Sequence, residues 1–281
     1  MNYPPELPKL FANLTLPAED SHKGQNGKVL VIGGSELFHA AGRWALDTVS
    51  RLVDMVFYCS IPSNNELMQI AKGEFWNGIV IDSAQREEYL QEADVVLIGP
   101  GMTRDPETGL LTDKLLEKYP TKKWVIDAGA LQTCDPQFLT PSMIITPHQK
   151  EFEMVLNNGR LPMAEEDASP EQLQKIAARL NGVTVLLKGH TDHIFSPSQF
   201  AKIEGGSPGM TKGGTGDVLA GLVAGLYANN GIWESAVMAS MANKRASEEL
   251  AESVGPFFNA TDLATQLPKS LWQLHKKNQT H

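Results

Sequence analysis

GGSPGMTKGGTGDVLAGLVAGL, residues 205–226, joins a glycine-rich loop to an apolar helical pattern. Glycines reach positive φ angles and let backbone N–H groups close on a ligand, and the unpaired N–H groups and the dipole of a helix start favour negative charge. The stretch therefore predicts an anion-binding loop at a helix N-terminus, with phosphate as the expected anion. Asp217 is unusual there, because a carboxylate repels phosphate unless a metal or a proton transfer makes use of it.

The GGTGD motif at 213–217 does not decide the function by itself. Asp is a favoured helix N-cap, and glycine-rich segments are often only surface turns. Helix capping alone and anion binding therefore both fit the motif when it is considered in isolation. The choice between them depends on the other segments of the chain.

Short β-branched runs alternate with amphipathic helical patterns along the chain. Strands are predicted at 28–32, 94–98, 124–127, 143–146 and 183–187, and helices at 43–52, 109–119, 170–180 and 233–250. Continuously apolar strands separated by helices indicate a mostly parallel sheet that is covered on both faces. The predicted fold class is therefore α/β, with three layers in the order α/β/α.

The composition indicates one large α/β domain. The chain has 281 residues, of which 42% are hydrophobic and 20% charged. We expect the domain to cover 1–281, with an N-terminal arm at 1–20 and a tail at 269–281 that forms a docking helix or a frayed end. The formal net charge of -9 argues against nucleic acid or an anionic membrane as a partner.

Other composition signals concern location and cysteine chemistry. No segment has the pattern of a signal peptide or the length of a membrane span, so the sequence predicts a cytoplasmic protein. Cys59 and Cys134 are too few and too far apart in sequence to indicate a disulfide framework or a zinc site. We expect both thiols to be reduced and structural.

The chemically unusual residues fall where predicted strands end or predicted helices begin. These segments are Gly34-Ser35, Gly99-Pro100-Gly101, Asp127-Ala128-Gly129, Thr146-Pro147-His148, Lys188-Gly189 and the GGTGD loop. The carboxyl ends of parallel strands lie along one edge of a sheet, and ligands bind at that edge in open α/β folds. The sequence therefore predicts that segments far apart in the chain meet at one crevice.

Seven segments carry a family resemblance. They are SHKG at 21–24, GKVLVIGGS at 27–35, IGPG at 98–101, VIDAGAL at 125–131, TPHQKEF at 146–152, LLKGHTD at 186–192 and GGSPGMTKGGTGDVLAG at 205–221. Together they resemble the ADP- or ATP-dependent NAD(P)H-hydrate dehydratases of the ribokinase-like superfamily. GGTGD alone would indicate only the superfamily, whereas its combination with TPHxxEF and IGPG is specific. The resemblance implies a ribokinase-like fold and an enzyme that uses a nucleotide to return the 6S hydrate of NADH or NADPH to the reduced coenzyme.

The resemblance also implies roles for individual residues. Asp217 is the implied general base, which takes the proton of the C6 hydroxyl, and Glu151 is implied to hold Mg²⁺ through water. The positions implied to bind the hydrate are Ala41, Gly101, His148 and Asp217. The positions implied to bind ADP or ATP are Lys188, Gly189, His190, Thr191, Asp192, Gly213, Gly214, Thr215 and Gly216. Without the resemblance, Lys188 would be expected to be merely solvated at its strand end.

Two segments depart from the family pattern on the side that the resemblance assigns to the hydrate. RLVDMVF at 51–57 stands where the family typically has Arg-x-Gly-Ala-Gly-Leu-Val, and Met102-Thr103 replaces a common Leu-Gly. The nucleotide half is intact, so the sequence leaves open an altered hydrate pocket. It does not decide between ADP and ATP, nor between the NADH and NADPH hydrates.

Two other functions stay open at this point. A small-molecule kinase of the same superfamily, acting on a hydroxymethylpyrimidine, a hydroxyethylthiazole or a sugar, would use Asp217 and magnesium in the same way. A nucleotide-binding regulator that has lost catalysis is the third candidate. The presence of Asp217, Lys188 and Glu151 argues against it.

The family precedent further implies a homotetramer and, as a functional partner, an epimerase of the hydrate that is a separate protein. Apolar residues offer an independent indication of an interface between protomers. They are Met238, Met241 and Ala242 in the predicted helix and Leu271, Trp272 and Leu274 in the tail. Residues at such helical spacing belong more often to the core of one protomer.

Overall fold

The structure is a computed structural model that describes residues 4, 6–74, 77–163 and 168–279. One nine-stranded sheet organises this part of the chain. Its strands are β1 (Lys28–Ile32), β2 (Met55–Cys59), β3 (Ile79–Ile81), β4 (Val95–Ile98), β5 (Lys123–Ile126), β6 (Met143–Ile145), β7 (Thr184–Leu187), β8 (Thr191–Phe195) and β9 (Phe200–Glu204). The helices are α1 (His39–Val49), α2 (Pro62–Ala71), α3 (Arg86–Glu92), α4 (Pro106–Lys118), α5 (Ala128–Thr133), α6 (Gln149–Asn158), α7 (Pro170–Arg179), α8 (Thr215–Asn229), α9 (Ile232–Val254) and α10 (Ala260–Gln279).

The strand order places the ends of the parallel strands along one edge. The order is β3-β2-β1-β4-β5-β6-β7-β8-β9, and every pairing from β3 to β7 is parallel. β8 and β9 extend the sheet as an antiparallel hairpin beside β7. The edge where the parallel strands end is called the carboxyl edge below, and the opposite one the amino edge. The predicted mostly parallel α/β sheet is confirmed.

Two apolar layers cover the sheet, one on each face. Side chains alternate between the faces of a strand. Val29 and Val31 of β1 therefore join the layer built by α1, α8, α9 and α10, whereas Leu30 and Ile32 join the layer built by α3 to α7. Burial on both faces explains why the strands read as continuously apolar runs. The predicted three-layer α/β/α architecture is confirmed.

The strands without a clear sequence signal lie toward the two sides of the sheet. β2 and β3 close one side, and β8 and β9 close the other. β9 alternates buried and more exposed positions, and β3 has only three residues. Short or alternating strands give a weaker periodic signal than the apolar runs in the middle of a parallel sheet.

The segment 51–57 begins at the amino edge of the sheet, away from the carboxyl edge, so its departure from the family pattern gives no direct support for an altered hydrate pocket. Its first four residues form the turn before β2, at the amino edge. There Asp54 accepts hydrogen bonds from the backbone N–H groups of Gly24 and Asn26 at 2.8 and 3.1 Å. A Cβ added to Gly225 in α8 would lie 2.5 Å from Cδ1 of Leu52, so the leucine fills the space beside that helix.

The N-terminal arm and the C-terminal tail pack on each other. Within the arm, the 3-10 helix Pro8–Asn13 buries Phe11 completely. The ring of His275 in α10 shares a hydrogen bond of 2.7 Å with the carbonyl of Phe11. The docking helix expected for the tail is confirmed as far as Gln279, and the frayed end is wrong there. Residues 1–3, 5 and 280–281 of the two predicted segments lie outside the described residues.

The apolar side chains of α9 belong to the protomer itself. Met238, Met241 and Ala242 are buried in the layer formed with α8 and α10. The suggestion that these residues form an interface is therefore wrong. Leu271 of α10 is also buried, whereas Trp272 stays half exposed.

None of the helices that the structure describes combines the length and apolar character needed to cross a bilayer.

Both cysteines are free and buried, as predicted. Burial raises the pKa of the Cys59 thiol to about 11 and that of Cys134 to about 12. Thiols are nucleophilic only as thiolates. Cys59 and Cys134 are therefore structural residues, and neither takes part in the site described below.

Candidate functional site

Glycines allow the loops at the carboxyl edge to pack closely against one another. The N–H of Gly34 donates a hydrogen bond of 2.6 Å to the carbonyl of Pro100. Gly101 has a φ of +72°, and a Cβ added to it would lie 2.3 Å from the carbonyl oxygen of Phe38 and 2.9 Å from Cβ of Ala41. A side chain at Gly101 would therefore clash, and Ala41 and Gly101, both expected to face the hydrate, are neighbours.

Asp127 is the most buried carboxylate of this edge. It follows β5, is only 2% exposed, and accepts hydrogen bonds on Oδ1 from Oγ1 of Thr146 and Nζ of Lys188, both at 2.8 Å. Gly99 makes room for its backbone, because a Cβ on Gly99 would lie 1.7 Å from the carbonyl oxygen of Asp127. Asp127 thus connects the residues that follow β5, β6 and β7.

Lys188 is a largely buried cation between Asp127 and Glu151, with 18% of its side chain exposed, so it is not merely solvated. Its backbone N–H donates to the carbonyl of Pro147 at 2.7 Å, which continues the pairing of β6 and β7 beyond their ends. Its Nζ lies 2.8 Å from Oδ1 of Asp127 and 3.8 Å from Oε2 of Glu151. Burial alone would lower the pKa of Lys188, but the charges of Asp127 and Glu151 outweigh it and raise this pKa. The site therefore holds a permanent positive charge.

His148 and Glu151 cap the start of α6 reciprocally. Nδ1 of His148 accepts from the N–H of Glu151 at 3.3 Å, and Oε2 of Glu151 accepts from the N–H of His148 at 2.8 Å. A neutral imidazole that accepts at Nδ1 carries its proton on Nε2. The His148 side chain is 50% exposed. His148 can therefore offer its Nε2–H as a donor to a ligand at the carboxyl edge.

Glu151 and Gln132 form the candidate magnesium site. Oε1 of Glu151 accepts from Nε2 of Gln132 at 2.7 Å, and Oε1 of Gln132 is buried without a hydrogen-bond partner among the described residues. Mg²⁺ keeps several waters and binds few carboxylates, so one carboxylate beside a free amide oxygen fits a hydrated ion. In the ranges that the structure describes, no group of three or more His, Cys, Asp or Glu could hold a metal.

Asp217 is the third residue of α8 and not its cap. The N-cap is Gly214, which has a φ of +95°, so the interpretation of Asp217 as a helix cap is wrong. Burial raises the pKa of Asp217 to about 7, the charge of Asp127 adds to this increase, and Lys188 opposes it. A carboxyl group that titrates near neutral pH is suited to accept a proton from a substrate.

The glycines before Asp217 bring the loop close to Lys188. A Cβ added to Gly216 would lie 3.6 Å from Nζ of Lys188, with no other atom within 4 Å. Thr215 turns inward, because its Oγ1 donates to the carbonyl of Met210 at 2.6 Å. The structure thus brings the glycine loop and Asp217 close to Lys188, which lies 29 residues before Asp217 in the sequence.

The turn between β7 and β8 contains the remaining residues expected to bind the nucleotide. Gly189 and His190 are exposed there, and Thr191 begins β8. Asp192 is buried, and its carboxylate accepts from the N–H of Gly189 at 2.9 Å and from Oγ of Ser240 at 2.7 Å. In this arrangement the Asp192 side chain shapes the turn, and its contact with a nucleotide stays a prediction.

The sequence predicts Asp127 within a segment of the crevice but gives it no role, and it does not predict Gln132 as a site residue. The available signal for Asp127 is a carboxylate that directly follows a buried strand and precedes a helix. Gln132 carries no such signal, because its partner Glu151 lies 19 residues further along the chain. Both residues act through contacts that only the packed sheet creates.

Gly214→Ala is expected to destabilise the protein by about 2 to 4 kcal/mol, because a left-handed φ strains alanine and overpacking adds to that strain. The added Cβ would lie 2.5 Å from ring carbons of Trp44 in α1. Gly213→Ala is the matched control, since its Cβ meets nothing within 4 Å, and we expect a change within about 0.5 kcal/mol. Urea unfolding followed by tryptophan fluorescence measures both. Equal stabilities would contradict the packing of Trp44 on this loop.

Comparison with known proteins points to one family. A family profile described as NAD(P)H-hydrate dehydratase matches residues 29–269. The chain is 32% identical over 261 residues to a bifunctional NAD(P)H-hydrate repair enzyme, Nnr, of Methanocaldococcus jannaschii, covering 90% of this chain and 49% of that protein. It is also 32% identical over 262 residues to the ADP-dependent (S)-NAD(P)H-hydrate dehydratase of Cenarchaeum symbiosum, covering 89% of this chain and 90% of that protein.

The fold agrees with solved structures. The ADP/ATP-dependent NAD(P)H-hydrate dehydratase from Bacillus subtilis, co-crystallised with ATP/Mg²⁺, superposes with a TM-score of 0.79 at 22% identity, covering 98% of this chain and 99% of that one. Likeness at this identity shows the fold alone, and it confirms the predicted ribokinase-like fold. The chain spans about half the length of the bifunctional relatives it matches and nine-tenths of the length of the Cenarchaeum protein.

Proposed function

Because the chain belongs to the NAD(P)H-hydrate dehydratase family, we propose that it uses ADP or ATP to dehydrate the 6S hydrate of NADH or NADPH to the reduced coenzyme. The observation that carries this proposal is Asp217, a carboxylate in the first turn of α8 with a pKa raised to about 7, which lies beside the glycine loop and the largely buried Lys188. The ADP-dependent dehydratase of Cenarchaeum symbiosum, which the chain covers almost completely, supports the same activity.

The chemistry replaces hydroxide, a poor leaving group, by phosphate. Asp217 accepts the proton of the C6 hydroxyl while that oxygen attacks the terminal phosphorus of the nucleotide, and the bond from phosphorus to the nucleotide breaks. The C6–O bond of the phosphorylated hydrate then breaks and phosphate leaves. Loss of the proton on the neighbouring ring carbon restores the double bond. One nucleotide is therefore consumed for each coenzyme repaired.

The other residues of the site bind and orient the two substrates. The backbone N–H groups from Gly213 to Gly216 and the ammonium of Lys188 stabilise the charge on the transferred phosphoryl group. His148 donates from Nε2 to the hydrate. Ala41 and Gly101 let the dinucleotide approach the backbone, because neither residue carries a side chain beyond Cβ.

Mg²⁺ is part of this proposal. Glu151, with the free Oε1 of Gln132 beside it, is the residue that would hold the ion through water. Bound there, the ion would supply positive charge that offsets the negative charge of the nucleotide phosphates. The Bacillus subtilis relative that was co-crystallised with ATP/Mg²⁺ supports the pairing of this fold with that ion.

The wild-type protein is expected to restore NADH from its 6S hydrate only when ADP or ATP and Mg²⁺ are present. The reason is that the hydroxyl leaves only after phosphorylation. The assay follows the return of NADH absorbance together with the release of phosphate, and the same mixture without nucleotide is the control. Absence of turnover with both nucleotides would refute the proposal. Transfer of phosphate to hydroxymethylpyrimidine, hydroxyethylthiazole or a sugar, without repair of the hydrate, would favour the kinase alternative.

Four further statements about the whole protein are proposals that follow from the family precedent and the composition. They are one domain over 1–281, a homotetramer, a cytoplasmic location, and an epimerase of the hydrate as a functional partner. The described residues support the first of these, because their strands form one sheet with an apolar layer on each face.

A further inference from the structure

Lys244, near the middle of α9, is a cation that is only 2% exposed. Its Nζ lies 3.1 Å from the carbonyl oxygen of Gly189, 3.0 Å from that of His190 and 3.2 Å from that of Gly205. An ammonium group has three N–H donors, so these three carbonyls satisfy all of them. Oδ1 of Asp192 lies 3.3 Å away and supplies the opposite charge.

The three carbonyls belong to two loops of the nucleotide half. Gly189 and His190 form the turn between β7 and β8, whereas Gly205 begins the glycine-rich loop that leads to Asp217. The glycine-rich loop makes further bonds to α9: Oε1 of Glu248 accepts from the N–H of Gly206 at 2.9 Å, and Oγ of Ser247 accepts from the N–H of Ser207 at 3.1 Å. The polar side of α9 therefore holds the loop where it leaves the sheet.

We propose that Lys244 is a positioning residue of the nucleotide site, whose ammonium holds the β7–β8 turn and the 205–217 loop at the separation that the bound nucleotide requires. This inference rests on the proposed use of a nucleotide. The resemblance places nucleotide contacts on both loops, at 188–192 and at 213–216, and gives no role to Lys244. The structure places Lys244 at the base of both loops.

Burial and charge explain why a lysine suits this position. A buried cation is costly unless it is paired and fully hydrogen-bonded, and Lys244 meets both conditions. Its removal would leave three carbonyls without a donor and the carboxylate of Asp192 without a neighbouring cation. The pairing of Thr191 with Glu204 would keep the two strand ends together, but the turn and the loop beyond them would shift as the freed carbonyls of Gly189, His190 and Gly205 turn toward water.

The first test replaces Lys244 by Met, which keeps most of the volume and removes the donors. We expect the Kd for ATP, measured by calorimetry with Mg²⁺, to rise about ten- to a hundredfold, the usual size of coupling between two sites. The KM for the hydrate is expected to change by less than about twofold, because the hydrate side of the carboxyl edge contains none of these contacts. An unchanged Kd for ATP would overturn the proposal.

Lys123→Met is the matched control for this substitution. Lys123 is half-buried at the start of β5, and its Nζ donates to the carbonyl of Tyr227 at 3.0 Å, at the amino edge. Its loss removes a partly buried lysine that also donates to a backbone carbonyl, far from both loops. We expect this variant to keep the wild-type Kd for ATP. An equal loss of ATP affinity in the two variants would show a general effect of destabilisation and would overturn the positioning role.

Chemical rescue tests the ammonium itself. Lys244→Ala leaves space beside the three carbonyls, so ammonium or methylammonium ions are expected to restore ATP affinity at least in part. Tetramethylammonium at the same ionic strength has no N–H donor and is expected to restore none. Equal effects of these salts would overturn the proposal, because they would then report ionic strength alone.

Lys244→Arg covers the case in which the Met and Ala variants do not fold. Arginine keeps the charge, but its donors lie in a plane on three nitrogens and cannot converge on three carbonyls as one ammonium does. We expect a folded protein with an ATP Kd raised several-fold, and wild-type affinity would overturn the proposal.

All of these measurements of the Kd for ATP omit the hydrate. A wild-type protein that binds ATP without repairing the hydrate would therefore refute the proposed function and leave the role of Lys244 standing.

Discussion

Asp217→Asn is expected to lower turnover of the hydrate by about two to four orders of magnitude, the range associated with a lost general base. Asparagine keeps the size of the side chain but does not take up the proton of the C6 hydroxyl. Binding of ATP should change little, because the backbone of the glycine loop is unaffected. The measurement is kcat with the 6S hydrate of NADH at saturating nucleotide, with the Kd for ATP determined in parallel.

Asp262→Asn is the matched control for this variant. Asp262 is also the third residue of a helix, α10, but it is exposed, and its Oδ2 accepts only the N–H of Asn259 at 2.8 Å. We expect wild-type turnover from it. If Asp217→Asn also kept wild-type turnover, Asp217 would not be the base, and its burial would be a feature of packing alone.

The pH dependence of the wild-type enzyme provides an independent reading of Asp217. Burial raises its pKa from 3.8 to about 7. Below this pKa the group is protonated and accepts no further proton, so kcat/KM is expected to rise with pH and level off above about 7. The folded state binds this proton more tightly than the unfolded state, so the contribution of Asp217 to stability falls as pH rises from 3.8 to about 7. Activity and this part of the stability should therefore change in opposite directions.

Lys188→Met is expected to destabilise the protein by about 3 to 5 kcal/mol, the usual cost of leaving one member of a buried ion pair alone. Asp127 is 2% exposed and would lose the ammonium that lies 2.8 Å from its Oδ1. The KM for the nucleotide should rise much more than the KM for the hydrate, because Lys188 lies beside the glycine loop. Chemical denaturation and steady-state kinetics measure the two effects separately.

The double variant Asp127→Asn Lys188→Met separates the structural part of this effect from the functional part. A neutral amide at Asp127 needs no cation, so much of the lost stability should return. Nucleotide use should not return, because the ammonium beside the glycine loop is still missing. A double variant that recovered both properties, or a single variant that lost hydrate and nucleotide affinity equally, would contradict the role proposed for Lys188.

Features with a local physical cause could be predicted from the sequence. The buried strands of the middle of the sheet appear as continuous apolar runs because both of their faces are covered. The glycines at Gly99, Gly101 and Gly214 are visible in the sequence, and the structure shows that each has a positive φ and no room for a side chain. The carboxylate in the first turn of α8 could be identified from the same stretch.

The location of residues 51–57 in the fold could not be predicted in this way. The sequence shows which residues depart from the family pattern, but it does not show at which edge of the sheet those residues lie. In the structure the turn precedes β2, so Asp54 lies at the amino edge with Gly24 and Asn26. Likewise, the apolar spacing of Met238 and Met241 shows that one side of a helix is buried, but not whether the partner is the same chain or another copy.

The sequence by itself determined the α/β class, the three layers and the residue types that line the carboxyl edge. Periodicity, glycine content and strand ends reflect local backbone conformation and burial, and these can be recognised without knowing the partners. Only the tertiary structure decided which charges meet: Lys188 pairs with Asp127, 61 residues away, and Lys244 bonds to Gly189, 55 residues away. Such pairs depend on strand order and on which helix packs behind which loop. No local pattern encodes that order, because it results from the packing of the whole sheet.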